Sequence, residues 1–176
     1  MTNYFELYHL PMTFHPDQEM VRKKYYELSR QFHPDRFTQL GSGAMDEALK
    51  MSALNNEAYK TLKDQDALMK YILQYHGELE EEEKYSLPPN FLMEMMELNE
   101  VVSEYELDPT NEEMKTQAAT ALDDLLIIWD REVGPLLAKY DEGDHSKELL
   151  HEIKDYYFRK KYLLRIKERI AKFAAL

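Results

Sequence analysis

The sequence predicts an all-α protein built as two helical units, and three observations carry that expectation. Five Gly and seven Pro in 176 residues leave little material for tight turns, while Leu, Glu, Lys, Met and Ala, all good helix formers, dominate. Apolar residues recur at steps of three and four, the spacing of one helix face. That pattern breaks at Gly77-Glu78-Leu79-Glu80-Glu81-Glu82-Glu83-Lys84-Tyr85-Ser86-Leu87-Pro88-Pro89, where four consecutive glutamates repel one another and a Pro pair cannot continue a helix. The expected organisation is a first unit over 1–76, a solvated acidic linker over 77–87 and a second unit over 88–176.

In the first unit, Asn3 to His9 has room for one or two helical turns before Pro11, and Asp17 is placed to cap the next helix. There Val21, Tyr25, Leu28 and Phe32 fall on one side, the expected core side. Arg22, Tyr26, Ser29, Arg30 and His33 fall on another side and form a basic, solvent-facing stripe. Pro34 disfavours helical geometry at His33, so the helix is expected to stop there. After a loop containing Gly41 and Gly43, Met51, Leu54, Ala58 and Leu62 define a second long helix able to pack antiparallel on the first. The product is a helical hairpin with His33-Pro34-Asp35 at its tip.

The second unit opens after Pro89 with the stripe Phe91, Met95, Leu98, Val102 and Tyr105. Asp108-Pro109 ends this helix, and Thr110 with Glu113 forms a capping-box pattern for the next. Its apolar side is Ala118, Leu122, Leu125, Trp129, Val133, Leu136 and Tyr140, with Gly134-Pro135 expected to kink or split it. A last helix begins near Ser146, with Leu149, Ile153, Tyr157, Leu164 and Ile170 among its apolar positions and Lys and Arg gathered toward its end. Three antiparallel helices with short connections make a bundle.

Charge and composition exclude several function classes. A net charge of −12 argues against non-specific binding to nucleic acid or anionic lipid, so any basic site must be local. Zero Cys excludes a disulfide framework, a cysteine nucleophile and thiolate-held iron–sulfur or zinc sites, and suits a reducing cytoplasm. The longest strictly apolar run, Leu125 to Trp129, is far short of the roughly 20 residues that span a bilayer, and no basic-then-apolar signal opens the chain. Gly41-Ser42-Gly43 lacks the Lys-Ser/Thr sequel of a phosphate loop, and the six His show no metal-ligand spacing. Neither a cofactor nor a metal is expected.

The tripeptide His33-Pro34-Asp35, closing a basic amphipathic helix and followed by a helix with Leu54-Asn55-Asn56-Glu57-Ala58-Tyr59-Lys60-Thr61-Leu62, resembles the J-domain of DnaJ-type co-chaperones. Context carries the resemblance, because a second copy, His15-Pro16-Asp17, precedes its helix and reads as a turn plus N-cap. Arg22 and Tyr25 before the tip and Arg36-Phe37 after it also fit the family's spacing. Physically the tip offers one titratable ring and one fixed anion beside a cationic stripe, with no nucleophile. The resemblance implies a heat-shock partner of the HscA/DnaK type, whose ATP hydrolysis the tip triggers while the basic helix, with Arg30, docks. Tyr26-Glu27 and Leu68 depart from the family, which continues the charge after Tyr25 and carries an arginine near Leu68.

From Leu87 to Pro109 there are six acidic residues and no Lys or Arg, a one-signed surface that suits a basic partner. Leu92, Met93, Met96, Glu97, Glu100 and Glu104 project away from the core stripe, and three large apolar side chains are left there to contact another bundle helix, the first unit or a partner. Phe91-Leu92-Met93-Glu94-Met95-Met96-Glu97-Leu98 behind an N-terminal J-domain looks like the HscB family, as does the opening Asn3-Tyr4-Phe5-Glu6-Leu7. That resemblance implies an L-shaped monomer whose C-terminal bundle binds the iron–sulfur scaffold protein IscU through those six residues. It adds an aromatic from the last helix, Phe158 or Tyr162, with Lys161-Tyr162-Leu163 the better fit in spacing. It also points to the bacterial form and to a non-enzyme. The competing expectations are a general J-protein whose bundle dimerises or holds unfolded chains, and a small carboxylate enzyme, for which convergent His, Lys or metal ligands are missing.

Overall fold

The computed structural model describes residues 2–37 and 41–174, all helices and connections among the described residues. Contacts divide the chain into two units, 1–77 and 78–176.

In the first unit, α1 (Tyr4–Leu7) is capped by Asn3, whose side chain accepts from the N–H groups of Phe5 and Glu6. Helix α2 (Gln18–Gln31) is capped by Asp17, which accepts from Glu19 N–H at 2.9 Å and Met20 N–H at 3.2 Å. A 3-10 turn over Pro34–Arg36 follows, then α3 (Ser42–Lys63), which enters through Gly41 at φ 93°, a conformation that favours glycine. Helix α3 packs on α2 as the hairpin expected.

The hairpin is pinned at Asn55, buried at 2 % exposure in α3. Its amide Nδ2 donates to the Tyr25 carbonyl and to Ser29 Oγ, both at 3.0 Å, and its Oδ1 accepts from Tyr8 O–H at 2.8 Å. One polar side chain thus joins three segments, and Ser29 turns out to face α3 rather than solvent. Burial pushes the Tyr8 phenol well above its ordinary value of 10.0.

Helix α4 (Gln65–Tyr75) is an element the sequence analysis did not anticipate. Asp64 caps it by accepting from Ala67 N–H at 2.8 Å, and Leu68, Met69, Tyr71, Ile72 and Leu73 are buried. Tyr71 holds the start of the chain: its O–H donates to the Thr2 carbonyl and accepts from Tyr4 N–H, with the Tyr4 ring stacked on it at 4.6 Å. Leu68 is 1 % exposed, so an apolar residue there serves the core and an arginine would not fit.

The second unit is a bundle of α5 (Pro89–Leu107), α6 (Glu112–Asp141) and α7 (Lys147–Ala174). All five predicted α5 stripe residues are buried. Helix α6 runs unbroken through Pro135, which sits exposed where water can take the carbonyl that proline leaves unpaired. Its cap is Asn111, accepting from Glu113 and Met114, in place of the expected Thr110 and Glu113 pair. Leu137 rather than Leu136 is buried on α6, and Leu163 and Ile166 rather than Leu164 on α7. Trp129 is core, its indole N–H donating to the Tyr156 carbonyl at 2.7 Å.

Residues 78–87 are tied to α7 at several points, while Glu80, Glu81 and Glu82 stay exposed to solvent. Glu78 approaches His151 Nδ1 at 3.1 Å, Glu83 pairs with Lys154 at 2.5 Å, and Tyr85 donates to Asp155 at 2.8 Å while stacking on Phe158 at 4.3 Å. The segment is therefore strapped along α7. Its Lys154 hydrogen bond holds the Glu83 carboxyl below its ordinary 4.5, while burial and Asp155 push the Tyr85 phenol up to about 12.

Two predictions follow from these anchors. Asn55→Ala removes the bonds to the Tyr25 carbonyl and Ser29 Oγ, leaves Tyr8 O–H only the main-chain carbonyl of residue 55, and should lower the denaturant-unfolding free energy of the first unit by about 2 kcal/mol. Because the Glu83 carboxyl is lowered on folding, its pairing stabilises above pH 4.5 and that stability is lost as pH falls through the folded value. Glu83→Gln should accordingly lower the bundle's thermal midpoint near neutral pH, and the two midpoints should converge as the pH falls through the lowered folded value, below 4.5.

Candidate functional site

Two separate surfaces carry the predicted residues. On the first unit, His33 caps the 3-10 turn, its Nδ1 accepting from Asp35 N–H at 3.3 Å and lying 3.6 Å from the Asp35 carboxylate. Both side chains are exposed, at 58 % and 87 %, as a recognition tip requires. Arg36 turns back so that its guanidinium donates to the Arg30 carbonyl at 3.0 Å, closing the tip on the last turn of α2. Arg30 Nε–H in turn donates to the Tyr26 carbonyl. Tyr25 is spent on the hairpin: its O–H donates to Asn56 Oδ1 and its ring stacks on Tyr59 at 4.1 Å. Arg22 and Lys23 are exposed with no ion-pair partner among the described residues, whereas Lys24 is neutralised by Glu27 at 3.0 Å. The basic face is therefore centred on Arg22 and Lys23 at the start of α2.

The other copy of the tripeptide is used for folding. Pro16 is buried and Asp17 is the α2 cap, as expected.

On the second unit, Leu92, Met93 and Met96 are 43 %, 65 % and 60 % exposed on α5, with Glu97, Glu100 and Glu104 exposed on the same side. None of these carboxylates has an ion partner among the described residues, unlike Glu106, which Arg169 clamps through two nitrogens at 2.9 and 3.0 Å. Three large apolar side chains inside a field of unpaired carboxylates do not come from packing α5 on its neighbours, and they make this face available to a basic, apolar partner. Tyr162 sits at the α5–α7 seam, its O–H accepting from Asn99 Nδ2 at 2.7 Å and its ring edge-on to Phe91. Phe158 is instead occupied by Tyr85. Of the two aromatics, Tyr162 is thus the one bonded to α5. Asn99 and Arg169, which the sequence analysis missed, fix that seam: Arg169 also donates to Asn99 Oδ1 at 3.2 Å. An Asn one turn beyond Met95, at the margin of the apolar stripe, was the available signal.

Among the described residues, no cluster of His, Asp and Glu is placed to hold a metal ion, and no helix is long and apolar enough to cross a membrane.

An exposed His-Pro-Asp tip on a helical hairpin, joined in one chain to a three-helix bundle, is the arrangement of a J-domain-like unit with an appended helical domain. Comparison with known proteins narrows the class. Residues 87–171 match the family model of the HscB C-terminal oligomerisation domain. An HscB homologue described as a co-chaperone, from Vibrio cholerae, is 38 % identical over 99 residues, covering 56 % of this chain and 58 % of that protein. The human iron–sulfur cluster co-chaperone HscB is 35 % identical over 115 residues, covering 65 % and 49 %. These alignments span about half the length of the curated relatives. Solved structures cover more: HscB from Vibrio cholerae superposes with a TM-score of 0.73 at 25 % identity over 97 % of this chain and 96 % of that one, and human HscB with 0.78 at 27 % over 97 % and 81 %. In sequence over the second unit, and in fold over 97 % of its length, the chain is similar to HscB.

The unpaired carboxylates carry a measurable cost. Glu100 lies three residues from Glu97 and four from Glu104, like charges that each destabilise a helix by a few tenths of a kcal/mol. Glu100→Gln should raise the bundle's stability by about 0.5 kcal/mol at low ionic strength, with the gain fading at high salt in a urea titration.

Proposed function

We propose that this protein is a co-chaperone of iron–sulfur cluster assembly that binds apo-IscU on α5 and presents it to an HscA/DnaK-type chaperone, whose ATPase its His33-Pro34-Asp35 tip stimulates. The observation that carries the reading is the solvent face of α5, where Leu92, Met93 and Met96 are exposed among the unpaired Glu97, Glu100 and Glu104. Such a face offers adaptable apolar anchors and an acidic rim to a partner that brings the opposite charge. Tyr162, held by Asn99, is the aromatic at its margin.

On the first unit, Arg22 and Lys23 supply the cations for an acidic docking patch, and Arg30 and Arg36 position the tip by bonding α2 carbonyls. The hydrolytic chemistry belongs to the chaperone. This chain acts by tethering: with scaffold and chaperone held on one polypeptide, their encounter becomes intramolecular and the effective concentration of cargo at the chaperone rises. The reading takes the working species to be a cytoplasmic monomer, which sedimentation tests against the oligomerisation named in the description of the matched family.

The deciding experiment is the steady-state ATPase rate of the chaperone with this protein, with apo-IscU and with both. The expected result is more-than-additive stimulation. His33→Gln should return the rate to the chaperone's basal value while scaffold binding persists, and Met93→Ala with Met96→Ala should weaken scaffold binding by about tenfold or more while stimulation by the protein alone persists. Stimulation indifferent to the scaffold would leave a general J-protein, and stimulation surviving His33→Gln would remove the tip from the mechanism.

A further inference from the structure

We propose that the partner contact continues past the solvent face of α5 into the groove between α5 and α6, where the same partner seats an aliphatic side chain flanked by Lys or Arg. The inference rests on the reading of α5 as the scaffold-binding helix and extends it to α6. The groove has a volume of about 210 Å3 and a floor of Leu98, Val101, Ala121 and Leu125. That is smaller than the roughly 300–1,000 Å3 of small-molecule sites, and suits a single side chain better than a cofactor.

Its rim is acidic on both sides: Glu94 and Glu97 from α5 and Asp124 from α6. No Lys or Arg lines it, and none of the three carboxylates has an ion partner among the described residues. Glu97 belongs at once to this rim and to the α5 patch, so the two surfaces are continuous. One turn beyond Asp124, Ile128 and Ile127 are 44 % and 57 % exposed, extending the apolar surface along α6. The other flank of α5 is different, because there Arg169 covers Glu106 and Asn99. The carboxylates toward α7 are matched within the fold and those toward α6 are not.

The occupant follows from charge. An aliphatic anchor seated on the floor displaces water, and in that drier setting the carboxylate rim attracts a neighbouring cation more strongly. A second copy of this chain is the poorer occupant, since a two-fold contact would set Glu94, Glu97 and Asp124 against their own equivalents.

The test measures binding of apo-IscU by calorimetry to the full-length protein, to Asp124→Lys with Ile128→Ser, and to Met93→Ala with Met96→Ala. All four positions are exposed, and a thermal melt of each variant is the check that it folds. The expected result is a Kd at least about tenfold weaker for the α6 variant, with a shallower salt dependence than the unsubstituted protein, because a rim charge has been reversed. Unchanged affinity and salt dependence in the α6 variant, with binding lost in the α5 variant, would overturn the groove and leave the α5 reading intact. Failure of the unsubstituted protein to bind apo-IscU would overturn both. A dimer seen by sedimentation that the α6 substitutions dissolve would assign the groove to a second copy and overturn the proposal.

Discussion

The bundle depends on how α7 distributes its positive charge. Nine of the chain's 22 Lys and Arg residues lie in this helix, within a protein whose net charge is −12. Arg169 clamps Glu106 of α5, Lys154 takes Glu83 and Arg159 holds Asp155, which accepts from Tyr85. Each is a charge-assisted contact between partly buried groups, where attraction is screened less than at an open surface. Without them, the segment with four consecutive glutamates would be held only by buried Leu79 and the Tyr85–Phe158 stack, and the flank of α5 toward α7 would be left unmatched. With them, the acidic half of the unit is fastened along one side.

That fastening explains why α5 has two unlike flanks. A helix in a three-helix bundle must bury one stripe, and Phe91, Met95, Leu98, Val102 and Tyr105 fill it. The flank toward α7 is settled by Asn99 and Glu106. Folding makes no demand on what remains, so the Met and Leu side chains and the unpaired carboxylates there need a cause outside the fold. Like charges three and four residues apart cost helix stability, and exposed Met and Leu cost solubility. The proposed scaffold contact rests on the surface that retains both.

Much of this was legible in the sequence because it depends on periodicity and on local chemistry. The α5 stripe, the Asp17 cap and the stop before Pro34 each follow from rules acting within a few residues, and each is found in the structure. The failures share a different cause. Ser29 lies on the polar side of α2 by helical projection, yet Asn55, 26 residues away, draws it into the interface. Asn111 displaces the Thr110 and Glu113 pair because two good capping residues are adjacent and only one geometry is realised. Pro135 does not break α6, because its side of the helix faces water. Helix α4 escaped notice because its capping residue directly follows the end of α3, so no loop announced it. Of the glutamates that read as a solvated linker, Glu83 found its cation on Lys154, 71 residues further on.

The same distinction between local and distant partners separates the two His-Pro-Asp copies, which no composition argument could rank. In His15-Pro16-Asp17 the carboxylate satisfies the orphan N–H groups of α2 and the proline is buried, so the tripeptide is used up in starting a helix. In His33-Pro34-Asp35 the imidazole caps its own 3-10 turn, and Arg36 bonds back to the Arg30 carbonyl. The orphan groups at the end of α2 are then met by a residue flanking the tripeptide, and the His33 and Asp35 side chains stay exposed to solvent. A short loop held from outside its recognition residues is preorganised without being buried, which is the condition under which a small exposed tip can act on a partner without a large cost in ordering.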